Sequence, residues 1–331
     1  MTSGSDALVA SRRAAERPGR PRVDIIVPVF NEEDAIGTFL DHVRPVLDGL
    51  EADWSILFVN DGSTDATLGL IMQEIANDPR LTCINLARNF GKEAALTAGI
   101  DAAHADLAVI MDVDLQDPPE LIADFLAKWR EGYDVVYGIR SARGTDTWLK
   151  RVTSEQFYRV FNMISPVKIP PNVGDYRLMD ARVLNALRAL PERNRFMKGL
   201  FAWVGFPAVG VEFARPERAA GSTKFRMRRL WNFALDGLFG FSTLPLKAWT
   251  YFGVVLALIA ILYAAYIVSR TLLFGIDVPG YASLIVIILV AAGAQLISLG
   301  VIGEYIARLT MEAKQRPNYL VEHHYRADDS A

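Results

Sequence analysis

The chain holds one cysteine, Cys83, among 331 residues. A single thiol excludes an internal disulfide and any zinc site built from several cysteines. Lying in the apolar run LTCINLA, it reads as core packing. A strong charge of one sign is also missing. Thirty-five Lys and Arg face 38 Asp and Glu, for a net charge of −3, which argues against a general nucleic-acid binder. No apolar run follows a basic start at the N-terminus, so residues 1–22, rich in Arg, Ala, Ser and Gly, read as a disordered tail rather than a secretory leader. Histidine is scarce, with four in all. The adjacent pair His323 and His324 reads as part of a solvated tail rather than as metal ligands.

Charge is absent again, locally, from residues 248–269 and 278–303. About 20 residues of helix cross the hydrocarbon core, so both stretches are long enough to span a bilayer. They are apolar on every face, unlike an amphipathic helix on a soluble core. Hydrophobic residues make up 51% of the whole and the mean hydropathy is +0.19, in keeping with membrane segments. Arg226, Arg228, Arg229 and Lys247 precede the first span, and Arg308, Lys314 and Arg316 follow the second. The connecting loop offers only Arg270 and Asp277. By the positive-inside rule the spans form a hairpin whose tip is outside, with both termini and the preceding domain cytoplasmic at the inner (plasma) membrane.

Residues 225–247 read as interfacial amphipathic helices. Met227, Leu230, Trp231, Ala234, Leu238 and Phe241 recur at helical spacing beside Arg226 and Arg229, a pattern suited to the headgroup boundary. Pro245 is expected to break this segment just before the membrane.

Residues 23–215 alternate apolar strands with amphipathic helices. VDIIVPVF, SILFVND, LTCINLA and DLAVIMDVD read as strands. Helices are expected over residues 32–50, from the GSTDAT segment onward, and over 92–103. This rhythm implies an α/β, Rossmann-like, mostly parallel sheet with helices on both faces. Such sheets bind ligands at the carboxyl ends of their strands, and every polar motif here falls at such an end. The first strand runs into Pro28-Val29-Phe30-Asn31-Glu32-Glu33 and the second into Asn60-Asp61-Gly62-Ser63-Thr64-Asp65. Arg88-Asn89-Phe90-Gly91-Lys92-Glu93 is a cationic loop opening a helix, an arrangement that attracts a diphosphate.

The sharpest pattern is Met111-Asp112-Val113-Asp114-Leu115-Gln116-Asp117. Two carboxylates at i and i+2 on an extended segment share one face and repel each other unless a hard cation lies between them. Mg²⁺ takes a few carboxylates and completes its shell with substrate phosphate oxygens. Farther on, Arg140, Arg143, Arg195 and Lys198 are candidates for phosphate contact, each equally compatible with a solvated surface.

Taken together, the four loops resemble the family 2 glycosyltransferases of the GT-A fold. With the hairpin, the order of motifs is similar to the polyprenyl-phosphate branch, which holds dolichyl-phosphate mannosyltransferases and bacterial undecaprenyl-phosphate glucosyltransferases. The resemblance covers about residues 23–320, and DVDLQDPPE and GKEAALTAG are its most specific parts. It implies a GT-A domain over 23–224, transmembrane helices within 248–306 and a C-terminal tail from 307 to 331. It assigns Pro28, Asn31, Glu33 and Asp61 to the nucleoside, Lys92 to the donor, and Asp112, Asp114 and Gln116 to Mg²⁺ or Mn²⁺ and the diphosphate. Gly174-Asp175-Tyr176-Arg177-Leu178 matches the acceptor-side segment, with Asp175 in the position of a base and Arg177 beside the acceptor phosphate. Gly221-Ser222-Thr223-Lys224-Phe225 resembles a mobile loop over the donor, bringing Ser222 and Lys224 to the acceptor side. The implied partners are a nucleotide-sugar, a polyprenyl phosphate, the membrane and further copies of the chain, as a homo-tetramer.

The implied reaction is an inverting transfer of a hexose, with UDP-glucose the expected donor and GDP-mannose the alternative. A processive polysaccharide synthase needs a Gln-x-x-Arg-Trp motif, which is absent from the sequence. A sugar-phosphate nucleotidyltransferase would open with a Gly-rich loop where this chain has PVFNEE. A membrane scaffold carrying a dead transferase domain is at odds with the intact Asp61, Lys92, Asp112 and Asp114.

Overall fold

Alternation along RVDIIVPV sends Val23, Ile25, Val27 and Val29 to one face of a strand and Ile26 to the other, and all five are buried. A strand covered on both faces belongs at the centre of an α/β sheet. The computed structural model describes residues 17–140, 173–193, 195–214, 244–274 and 280–327, and it places this strand, β1 (Arg22–Val29), there. The other strands are β2 (Asp53–Asn60), β3 (Leu81–Leu86), β4 (Leu107–Ile110), β5 (Val135–Arg140), β6 (Val173–Asp180), β7 (Ala208–Phe213) and β8 (Val321–Tyr325). Their spatial order is β7-β5-β6-β4-β1-β2-β3-β8. Pairs β1–β2, β1–β4, β2–β3 and β5–β7 are parallel, while β3–β8, β4–β6 and β5–β6 are antiparallel.

Helices α1 (Ile36–Asp48), α2 (Thr67–Asn77) and α4 (Leu121–Arg130) contribute to the cluster on the Ile25 face. On the Ile26 face lie α3 (Lys92–Ala102), α5 (Ala181–Arg188) and α6 (Met197–Trp203). Helix α3 approaches the sheet so closely that a Cβ at Gly99 would run into the Ile26 side chain. Cys83 is buried in β3, as expected, and burial pushes its thiol up to about 12.

Helices α7 (Leu244–Phe274) and α8 (Tyr281–Ala313) hold the two apolar stretches. Their most hydropathic windows lie within Ala248–Phe274 and Val290–Ala313, and no part of either window is buried by the rest of the chain. A buried core helix would pass the same length test but not this one. The two helices touch each other and fit a hairpin whose apolar surface is left exposed, which suggests association with a membrane.

Several expectations need correction. Pro245 sits in the first turn of α7, where its missing N–H costs nothing. The interfacial segment from 225 to 243 lies outside the described residues. Residues 17–22 are not tail, since the Arg17 guanidinium is buried against Asp134 at 2.9 Å and lies over the Trp129 ring. After α8 the chain returns to the sheet. Residues 321–325 add β8 antiparallel to the open edge of β3, with Ile84 opposite His324 and Asn85 opposite His323. His323 and His324 are exposed, but on a strand rather than in a solvated tail. Asn85 Nδ2 donates to Glu322 Oε2 at 2.8 Å, and Tyr319 Oη donates to Asp101 Oδ2 at 2.9 Å, which fastens this strand to the domain.

Candidate active site

Because β1 to β4 run parallel, the loops after Val29, Asn60, Leu86 and Ile110 gather at one edge of the sheet. They bind one another through side chains that the sequence had marked for ligand. Asn31 adopts a positive φ of 54°, and its Oδ1 accepts from Thr64 N at 2.8 Å. Glu33 Oε2 accepts from Ala66 N at 2.8 Å. Asp61 is buried, with Oδ1 accepting from Phe90 N at 2.7 Å and Oδ2 from Gly91 N at 2.9 Å. Burial raises the Asp61 pKa and these two N–H groups oppose the rise. Asp61 therefore sets the loop that carries Lys92. Gly62, at φ 65°, lets that loop approach, since a Cβ there would collide with the Arg88 backbone. Pro28 sits half-buried in β1, opposite Val59.

The expected strand through Asp114 stops earlier, at Ile110, and the chain turns through Leu115 at φ 55°. Register then explains what Asp112 meets. Strand β6 runs antiparallel to β4 with Ile110 opposite Arg177, so two residues past the end of β4 and two steps back in β6 bring Asp112 beside Asp175. Lys92 Nζ bridges them, 2.7 Å from Asp112 Oδ1 and 2.9 Å from Asp175 Oδ2. Burial alone would lower the Lys92 pKa, but the Asp175 and Asp112 carboxylates outweigh it and hold the ammonium above its ordinary value. For Asp175 burial acts upward, yet Lys92 and then Lys198 prevail and keep its carboxyl well below the usual range. Asp114 Oδ1 accepts from Gln116 N at 3.2 Å.

Asp112, Asp114 and Gln116 offer hard oxygen donors of the kind Mg²⁺ and Mn²⁺ prefer. No group of three His, Cys, Asp or Glu side chains forms a complete cage among the described residues. The donor set thus fits an ion whose remaining ligands come from a diphosphate and water.

The cationic candidates divide. Lys198, in α6, acts electrostatically on Asp175. Arg140 lies 3.5 Å from Asp117 Oδ1. Arg177, expected beside the acceptor phosphate, is buried, donates from Nη2 to Gly174 O at 2.8 Å and lies over Phe201. Burial lowers it to about 10. Arg195 is turned away to the carbonyls of Leu190 and Glu192 and lines a separate groove with Asp101 and Tyr319. Arg143, Ser222 and Lys224 lie outside the described residues.

Two carboxylates belong to this cluster without having been picked from the sequence as site residues. Asp117 is pushed up to about 6 by burial and then by Asp112. Glu93 reaches about 7, through burial and then repulsion from Asp175. Perturbed titration of this kind gathers at functional sites. In the sequence, Glu93 looked like any acid in a helix's first turn.

The fold defines an α/β protein whose acidic and basic loops collect at the carboxyl ends of parallel strands, the usual ligand edge of such sheets. The description "Glycosyl transferase family 2" matches residues 24–188. An uncharacterized glycosyltransferase of Synechocystis sp. is 51% identical over 90% of this chain and 94% of its own length. A bactoprenol glucosyl transferase of Shigella phage SfII is 48% identical over 93% of this chain and 99% of its own. Among solved structures, a mannosyltransferase from Pyrobaculum calidifontis in complex with GDP-Man and Mn²⁺ is similar at 19% identity, with a TM-score of 0.41 over 95% of this chain and 93% of that one. That similarity is too low to bear on substrate or metal. The chain belongs to glycosyl transferase family 2, and it is a glycosyltransferase.

Proposed function

We propose that this protein transfers a hexose from a nucleotide-sugar, UDP-glucose first among donors, to a polyprenyl phosphate of the undecaprenyl type. The observation that carries the reading is the Lys92 bridge between Asp112 and Asp175, the residues that the family resemblance assigns to donor and acceptor respectively. The 48% identity to bactoprenol glucosyl transferases supports the acceptor class, and the apolar helices suit an enzyme that meets a lipid at the membrane.

A phosphate oxygen of the lipid attacks the anomeric carbon as the bond to the nucleoside diphosphate breaks. The bonding pair leaves with the diphosphate and the configuration inverts. Lys92 stabilises the charge that develops on the leaving oxygens. Asp112, Asp114 and Gln116 would hold Mg²⁺ or Mn²⁺, which when bound neutralises diphosphate charge. Asp175 is a poor proton acceptor, because its carboxyl is held well below the usual range. None is needed, since a phosphate monoester with a second pKa of about 6 is largely dianionic at neutral pH. Asp175 instead orients Lys92 and balances its charge.

The test is a screen of radiolabelled UDP- and GDP-sugars with the full chain in membranes and added undecaprenyl phosphate, followed by organic extraction. Label from one hexose donor should enter the lipid phase. Absence of lipid-borne label with every donor would reject the proposal.

A further inference from the structure

Helix α6 starts without a cap of its own. Its N-cap residue is Phe196, which offers no side-chain acceptor to the free N–H groups of the first turn. The acceptor comes from another element, because Glu93 Oε2 receives the Met197 N–H at 3.0 Å. Glu93 directly follows Lys92, so one turn of α3 carries the bridging ammonium and also grips α6. One turn on, Thr97 is buried with its Oγ1 4.0 Å from Met197 Sδ, and Met197, Leu200 and Phe201 pack into the same cluster as Ala95, Leu96 and Ala98. The other side of α6 reaches β6, where Phe201 lies 3.7 Å beneath the Arg177 guanidinium, two residues from Asp175. Lys198 follows the gripped residue, and its charge acts on both Asp175 and Glu93.

We propose that Glu93 is a positioning residue which holds the start of α6 against α3, keeping Lys198 within electrostatic reach of Asp175 and directed at the acceptor phosphate. This rests on the reaction proposed above. The carboxylate touches neither donor nor acceptor and acts through Met197 and Lys198. Nucleotide binding, which depends on the loops after β1 to β4, does not require it.

The experiment uses the full chain in detergent with UDP-glucose and undecaprenyl phosphate. Glu93→Ala should raise the KM for the lipid phosphate roughly ten- to a hundred-fold, the scale of a displaced positioning group, while calorimetric affinity for UDP stays unchanged. Glu93→Gln, whose amide oxygen can still accept from Met197, should recover most of the lipid affinity. Lys198→Ala should match Glu93→Ala, and the double variant should be no worse than either single one. Hydrogen exchange over residues 197–203 should quicken in Glu93→Ala but not in Glu93→Gln, and this readout needs no turnover. An unaltered lipid KM in Glu93→Ala would overturn the proposal, as would equal damage in Glu93→Gln, additive single effects or unaltered exchange. A wild-type chain that makes no lipid-linked hexose would instead reject the reaction, leaving the exchange result to decide on the Glu93 link.

Discussion

Replacing Lys92 with Met keeps most of the aliphatic stem and removes the charge shared by Asp112 and Asp175. In a site of intermediate dielectric each ion pair would be worth about 4 kcal/mol at a separation of about 4 Å. The Lys92, Asp112 and Asp175 side chains are 44%, 32% and 18% exposed, so solvent screening brings the contribution to folding nearer about 1 kcal/mol per pair. The transition state is affected more, because the leaving diphosphate gains charge where the ammonium stood. Loss of one electrostatic catalyst costs about 3–4 kcal/mol, or about 10²–10³ in kcat. The two effects should therefore separate. The Lys92→Met variant should melt only a few degrees lower, yet transfer glucose to undecaprenyl phosphate at under about one-hundredth of the wild-type kcat. Both are measurable on one detergent preparation, by thermal melting and by extraction of labelled lipid at saturating substrates. A variant with normal melting and a kcat within about fivefold of wild type would refute a catalytic Lys92.

Asp112→Ala and Asp114→Ala should each abolish transfer without unfolding the chain, and EDTA should silence the wild type until Mg²⁺ or Mn²⁺ is restored. Activity that withstands both the substitutions and the chelator would remove the metal from the mechanism. Glu93→Gln should gain stability relative to wild type as pH rises. The Glu93 carboxyl titrates near 4.5 when unfolded and about 7 when folded, so the native wild type pays nothing below the first value and most above the second. The gap should open between these values and level off above pH 7 at no more than about 3 kcal/mol. Equal melting temperatures of the two proteins at pH 8 would contradict this. Cys83 should resist iodoacetamide in the folded protein, since it is buried with its thiol pushed up to about 12, and should react on denaturation. Rapid native alkylation would show that β3 is not sealed.

The four donor-side loops were legible because parallel strands covered on both faces write continuous apolar runs, and each run ends at the ligand edge. Lys92, Asp112 and Asp175 were picked out one by one, but the bridge between them depends on the β4–β6 register, which a single chain does not spell out. Arg177 shows the same gap. It shares a face of β6 with Asp175, and Phe201 from α6 packs against its guanidinium. Strand β8 was unreadable for another reason. VEHHY has weak alternation, and its partner β3 lies more than 200 residues earlier, so pairing is decided by an open sheet edge and not by local preference. For the same reason a truncation before α7 would strip β8 from β3 as well as removing the membrane helices.

The central claim is inverting transfer from a sugar nucleotide to a lipid phosphate. Its most direct test is the anomeric configuration of the product formed by the purified full chain from UDP-α-glucose and undecaprenyl phosphate, read by NMR of the extracted lipid. Direct attack by the lipid phosphate on the anomeric carbon requires a β-linked glucosyl phosphate. An α-linked product, or glucose released to water with no lipid product, would contradict it.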